Sequence, residues 1–328
     1  MASPVRYLIA IALFGMGGLA PSVSAQLTKL RAAYSAESSW SLATWVAHDA
    51  GLFKKYGLDV DLILIRSAST ITSALIAGEA PMIQLGGNGT IQAALQGADT
   101  VNILTLVPII PQSLVVTADI KTGEDMRGKR LGVTRFGALS DLVIRRYIRK
   151  FGLDPAKDVT LVQIGGIPEL VTAMKAGAIS GGAISPPALT VAKKAGFREL
   201  ADFESLDYKY PAVVIASTKS FIQRNRPAAL NFIRGEIEGI HRIRTQKNFA
   251  VNVLKKYMRI NDTEISEDGY RYAYKFFQPR PYPTLEEVRA VLDEYKSMPQ
   301  TATAKPEQFI DLSLLQDLEK EKFFDRLK

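Results

Sequence analysis

Acid–base or nucleophilic chemistry at neutral pH draws on a short list of residue types, and this chain supplies few of them. It has no cysteine and only two histidines, His48 and His241. His48 stands beside Asp49 in an expected helix, and His241 lies in a basic helical stretch. Neither belongs to a His-Glu-x-x-His or Gly-x-Ser-x-Gly sequence. Without cysteine there are no disulfides and no thiolate metal sites. The sequence therefore predicts no catalysis, no metal and no cofactor. The chemistry left to it is binding, by hydroxyls, amides, aromatic rings and an arginine in short loops.

Those groups gather at a few places. Ser38 and Ser39, in SAESSW, open an expected helix, where free backbone N–H groups carry partial positive charge and favour an anion. Trp40 follows, able to wall a pocket or stack on a planar ligand, while Trp45 reads as core. Ser67 and Thr70 bracket a second loop. GGNGT (86–90) offers Asn88 and Thr90 but lacks the lysine and spacing of a phosphate loop. TRFGALSD places Arg135, Phe136 and Ser140 together, and Arg135 suits a carboxylate, sulfonate or phosphate through two parallel hydrogen bonds. Ser185, ahead of Pro186 and Pro187, and Tyr210, near Tyr208, complete the set. The common chemistry suits one small anionic or aromatic ligand.

The elements that must position these residues are repeated. YGLDVDLILI (56–65) matches FGLDPAKDVTLVQI (151–164), and Ala74–Gly78 precedes Ala173–Gly177 by 99 residues, an offset that Gly97 and Gly196 keep. Each copy predicts three strands alternating with helices. The strands are Leu30–Tyr34, Leu58–Ile65 and Met82–Leu85, then Arg130–Thr134, Val159–Ile164 and Ala183–Ser185. Leu139, Leu142, Val143, Tyr147 and Ile148 recur at three- and four-residue spacing, which predicts a helix over 140–151. Strands alternating with amphipathic helices imply an α/β fold with mainly parallel sheets. Two similar lobes follow, with residues 26–113 and 216–328 in the first and 114–215 in the second. The chain would cross between them near Ser113–Ala118 and return near Ala212–Ser217. Ligands of such sheets sit beyond the carboxyl ends of the strands, where the loops named above fall.

Residues 1–25 read as a cleavable secretory signal, with Arg6 ahead of an apolar run and small residues at Val23 and Ala25. A lipoprotein anchor would require a cysteine at the cleavage point. The expected product is a periplasmic protein starting at Gln26. The formal net charge is +8, but its lysines and arginines are scattered over helices without interleaved aromatics, which argues against a nucleic-acid partner.

AHDAGLFKKYGLDVDL, ALIAGEAPMIQLGGNG, DMRGKRLGV and AGAISGGAISPPA together resemble the periplasmic substrate-binding proteins of nitrate, sulfonate, taurine and thiamine-precursor importers, the NMT1/THI5-like group. The resemblance implies a two-lobed periplasmic-binding fold and a monomer that delivers a sulfonate, nitrate, carboxylate or pyrimidine to an ABC permease and its ATPase. An acidic residue common in that group before the third strand is absent here, where Pro81 and Ser180 or Gly181 stand. The alternatives are an exported sensor of the same fold and a pyrimidine-making enzyme, whose cysteine-rich motif this chain lacks.

Overall fold

The computed structural model describes residues 26–66, 68–202, 205 and 209–327. The signal segment, Ser67 and Tyr208 lie outside the described residues. The chain begins with β1 (Thr28–Tyr34), α1 (Leu42–Asp49), α2 (Leu52–Lys55), β2 (Leu58–Leu64), α3 (Ala68–Ile76), β3 (Met82–Leu85), α4 (Gly87–Leu95) and β4 (Thr100–Val107). It continues through β5 (Ser113–Val116), β6 (Arg130–Val133), α5 (Leu139–Lys150), β7 (Thr160–Gln163), α6 (Ile167–Lys175), β8 (Gly181–Ile184), α7 (Ala188–Lys194) and β9 (Arg198–Ala201). After β10 (Val213–Thr218) come α8 (Lys219–Arg224), α9 (Arg226–Thr245), α10 (Lys247–Met258), α11 (Thr263–Phe276), α12 (Leu285–Glu294), α13 (Ser313–Lys320) and α14 (Phe323–Arg326).

The strands form two five-stranded sheets, ordered β2-β1-β3-β10-β4 and β7-β6-β8-β5-β9. The orders are equivalent under the sequence repeat. In each, three parallel strands are followed by one strand antiparallel to its neighbours, β10 in the first sheet and β5 in the second. That antiparallel strand is the one the chain lays down on arriving from the other sheet. Ser113–Val116 already belongs to the second sheet and Val213–Thr218 to the first, so the outward passage occupies residues 108–112. β4 and β9, which the alternation of strands and helices does not announce, close the far edges. β4 (TVNILTLV) is buried along its whole length.

Local chemistry fits this architecture. Gly78 and Gly177 end α3 and α6 with φ of 75° and 69°, a left-handed conformation that costs glycine little. Trp45 is completely buried, with its ring stacked on Tyr257 at 4.7 Å and edge-on to Tyr34 at 5.6 Å. Burying such a ring stabilises by roughly 2–3 kcal/mol relative to leaving it exposed. Of the helices after β10, α9 and α10 pack on α1, and α13 joins the same core. α12 behaves differently. Val288, Val291 and Leu292 share an apolar cluster with Ile91 and Leu95 of α4 and with Val143 and Tyr147 of α5. Glu294 pairs with Arg146 at 2.5 Å, so α12 ties the two sheets together.

One buried acid sets a pH dependence. Glu236, on α9, is completely buried and accepts a hydrogen bond from Thr44 Oγ1 at 3.1 Å. Its second oxygen has no hydrogen-bond partner, and burial pushes its pKa up to about 8. A raised folded-state pKa means that the native state binds this proton more tightly than the unfolded chain. The contribution is fully present below the ordinary glutamate range and is lost as pH rises through about 8. Glu236→Gln keeps the shape without the charge. Chemical denaturation of the two proteins should therefore diverge between pH 5 and 8, the variant gaining up to about 1.4 kcal/mol per pH unit relative to wild type. Parallel pH profiles would show that Glu236 ionises as freely as in water.

Candidate functional site

The carboxyl ends of β1 and β3 in the first sheet face those of β6 and β8 in the second. Between them lies a cavity of about 130 Å³, lined by both lobes and by the chain joining them. The first lobe contributes Ser38, Trp40 and Ser41 after β1, Arg66 after β2, and Gln84 and Asn88 around the end of β3. The second contributes Thr134, Leu139 and Ser140 after β6, Gly166 and Glu169 at the start of α6, and Ser185 after β8. Pro111 and Gln112, from the outward passage, and Ala212 and Val213, from the return, complete the wall.

Helices point at this space by their N-termini. α1, α4, α5, α6 and α7 begin here, and none has a side-chain cap, although Ser38 and Ser41 stand at cap positions. Of the helices directed elsewhere, α8, α11 and α12 are capped by Thr218, Asp262 and Thr284, while α2, α9, α10, α13 and α14 are uncapped like those at the cleft. Neither Ser38 nor Ser41 makes a capping hydrogen bond. Uncapped N-termini present backbone N–H groups and the positive end of the helix dipole to an acceptor atom.

Among the described residues, Ser39 and Asn88 make hydrogen bonds across the cleft. Ser39 Oγ donates to the Pro186 carbonyl at 2.7 Å, and Asn88 Nδ2 to the Gly137 carbonyl at 3.4 Å. Within the first lobe, Gln84 Nε2 donates to the Trp40 carbonyl at 2.7 Å and fixes the turn carrying the indole. Ser140 Oγ accepts from the Thr134 N–H at 2.9 Å. Two buried polar atoms of the wall have no hydrogen-bond partner, the donor Trp40 Nε1 and the acceptor Gln112 Oε1. Each costs about 1–3 kcal/mol in that state.

The charged wall residues stand toward solvent. Arg66 Nε donates to Glu37 Oε2 at 3.0 Å, and a second guanidinium nitrogen reaches the same oxygen. The carboxylate pushes the Arg66 pKa up, so this cation is permanent and already paired. Glu169 lies across the mouth in the second lobe and is exposed.

Five of the residues expected from sequence line the cavity: Ser38, Trp40, Asn88, Ser140 and Ser185. Ser39 is completely buried between the lobes and bonds Pro186. Thr90 faces inward, donating to the Gly87 carbonyl at 2.9 Å and to Asn102 Oδ1 at 2.5 Å. Tyr210 is completely buried in the apolar cluster shared by both lobes, which pushes its pKa up. Thr70 is exposed on α3, away from the wall. Arg135 and Phe136 also stand outside the wall, Phe136 being 55% exposed. Ser67 is outside the described residues. Sequence reasoning missed Arg66, Gln84 and Gln112. Arg66 and Gln84 stand at strand ends, a position that could have flagged them, while Gln112 has no such mark.

The model of the NMT1/THI5-like family matches residues 41–246. A putative binding protein of Bacillus subtilis, YtlA, is 24% identical over 213 residues, covering 63% of this chain and 64% of that protein. A putative ABC transporter periplasmic binding protein of Brachyspira hyodysenteriae is 22% identical, covering 73% and 72% of the two chains. The fold is that of the periplasmic aliphatic sulphonate-binding protein SsuA from Escherichia coli, with a TM-score of 0.70 at 20% identity, over 86% of this chain and 92% of that one.

The chain has two tryptophans, one in the wall and one in the core. A solute that enters the cavity should change the emission of the Trp45→Phe variant, in which only Trp40 reports, and leave Trp40→Phe silent. A response confined to Trp40→Phe would place binding elsewhere.

Proposed function

This chain belongs to the NMT1/THI5-like family, and we propose that it is the extracytoplasmic solute-binding component of an ABC importer. The observation that carries the proposal is the cavity itself, a space with a mainly apolar lining and a few polar groups, walled by matching loops of two repeated lobes and bridged by Ser39 and Asn88. Such a site holds a solute by contacts from both sides, so that occupancy favours the closed arrangement. The residues in the wall serve to bind rather than to transform. They include no histidine, and the carboxylate of Glu37 is tied to Arg66.

The solute is small and planar and carries acceptor oxygens, within the anionic or aromatic range expected from sequence. The Trp40 ring offers it a face, and the turn at Ser38–Ser41 offers N–H groups. The protein is exported through residues 1–25, released after Ala25 as a monomer, and docks on a permease and its ATPase. No described helix is long and apolar enough to cross a membrane.

Thermal unfolding of residues 26–328 tests the capture role against nitrate, taurine, alkyl and aryl sulfonates, aromatic carboxylates, amides and pyrimidines. A true ligand at a hundred times its Kd should add about 2.7 kcal/mol of stability, a shift of several degrees. The same solute should stimulate ATP hydrolysis by the reconstituted transporter. A flat response to every compound would contradict the role.

A further inference from the structure

Away from the cavity wall, the lobes also meet where α7 of the second lies on α11 of the first. Leu189 and Ala192 anchor α7 in the core of its own lobe, and Tyr270, Ala273 and Phe276 anchor α11 in the other. The approach is close, since a β-carbon on Gly269 would stand 3.3 Å from Pro187 Cβ. Further along, the contacts are polar. Thr190 Oγ1 donates to Asp268 Oδ2. Lys194 Nζ, in the last turn of α7, donates to Glu264 at 2.8 Å and to Asp262 at 3.3 Å. None of these side chains lines the cavity.

This seam is built differently from the one at α12. There Val288, Val291 and Leu292 pack with Val143 and Tyr147 in a buried apolar cluster, and separating them would expose that area to water. Lys194, Asp262 and Glu264 are exposed, and exposed ion pairs part at little cost. Two of the acceptors are positioned from within the first lobe. Asp262 caps α11 by accepting the Ile265 N–H at 3.1 Å, and Arg271 holds Asp268 at 2.9 Å. We propose that α7 and α11 form a reversible latch, with Lys194 clasped by Asp262 and Glu264, that sets how much of the empty protein is closed. Lys194 then tunes solute affinity without touching solute, because apparent affinity scales with the fraction of protein in the binding-competent form. The inference rests on the capture role proposed above and adds a control on the same cleft.

Dyes on Ile76→Cys and Lys175→Cys, exposed on α3 and α6 of opposite lobes, report closure by single-molecule energy transfer without any solute. The labelled protein should show a high-transfer, closed population beside the open one. Lys194→Glu should lower the closed-to-open ratio about two- to fivefold, the range for exposed ion pairs. Salt at about 1 M, which cuts the screening length to about 3 Å, should act in the same direction. Lys194→Arg should keep the ratio, and combining Lys194→Glu with Glu264→Lys should restore part of it. Lys193→Glu is the control, because Lys193 pairs with Glu199 inside the second lobe, and it should leave the ratio unchanged. Absence of a closed population, an unchanged ratio in Lys194→Glu, or an equal loss in Lys193→Glu overturns the latch. If the latch fails while a solute still stabilises the protein, the capture role stands. If no solute stabilises it, the capture role fails and the latch is judged by the energy transfer alone.

Discussion

The approach of Gly87 to Pro211 sets the geometry on which the cleft is built. The Gly87 N–H donates to the Pro211 carbonyl at 2.8 Å. A β-carbon on Gly87 would come within 2.9 Å of the Pro211 ring, its carbonyl and the Asn102 amide, so no side chain fits there. This contact holds the start of α4 against the chain as it returns from the second lobe. Thr90 and Asn102 brace it from below. β10 then runs antiparallel between β3 and β4, and Gly86 and Asn88 are left facing the opposite lobe. With the outward passage at residues 108–112, it fixes where the two sheets meet and therefore what the cavity can hold.

Polarity is distributed around that meeting line in a consistent way. Apart from partly buried pairs such as Arg146–Glu294, ion pairs lie on the outside, where each contributes little, and the polar groups of the buried wall are hydroxyls, amides and an indole. Within that wall some polar atoms find protein partners, as Gln84 does with Trp40 and Ser140 with Thr134.

Much of this was legible in the sequence, and the reason is the repeat. The aromatic-Gly-Leu-Asp turns, the glycines ending α3 and α6 and the strand alternation all act locally, so composition and period reveal them. The six expected strands correspond to β1, β2, β3, β6, β7 and β8 within two residues or so at their ends. Parts of the loops after those strands line the cavity. What a loop does not reveal is which of its side chains turns inward. Thr134 lines the wall and its neighbour Arg135 does not, because successive residues near a strand end point to opposite sides. Thr90 looked like a donor for ligand but is claimed by Asn102, whose position depends on β4. Tyr210 is buried by α12 and α5, elements distant in sequence. Gln112 could not be singled out, since its place follows from how the two sheets are joined and not from any local pattern.

Closure of two lobes over one solute is the central claim, and a distance across the mouth tests it most directly. Thr70 on α3 and Thr172 on α6 are exposed on opposite lobes, and the chain has no cysteine of its own. Spin labels on Thr70→Cys and Thr172→Cys therefore report one distance without background. The account predicts a broad, longer distribution for the empty protein that narrows and shortens when a stabilising solute is added. An identical distribution with and without saturating solute would contradict it.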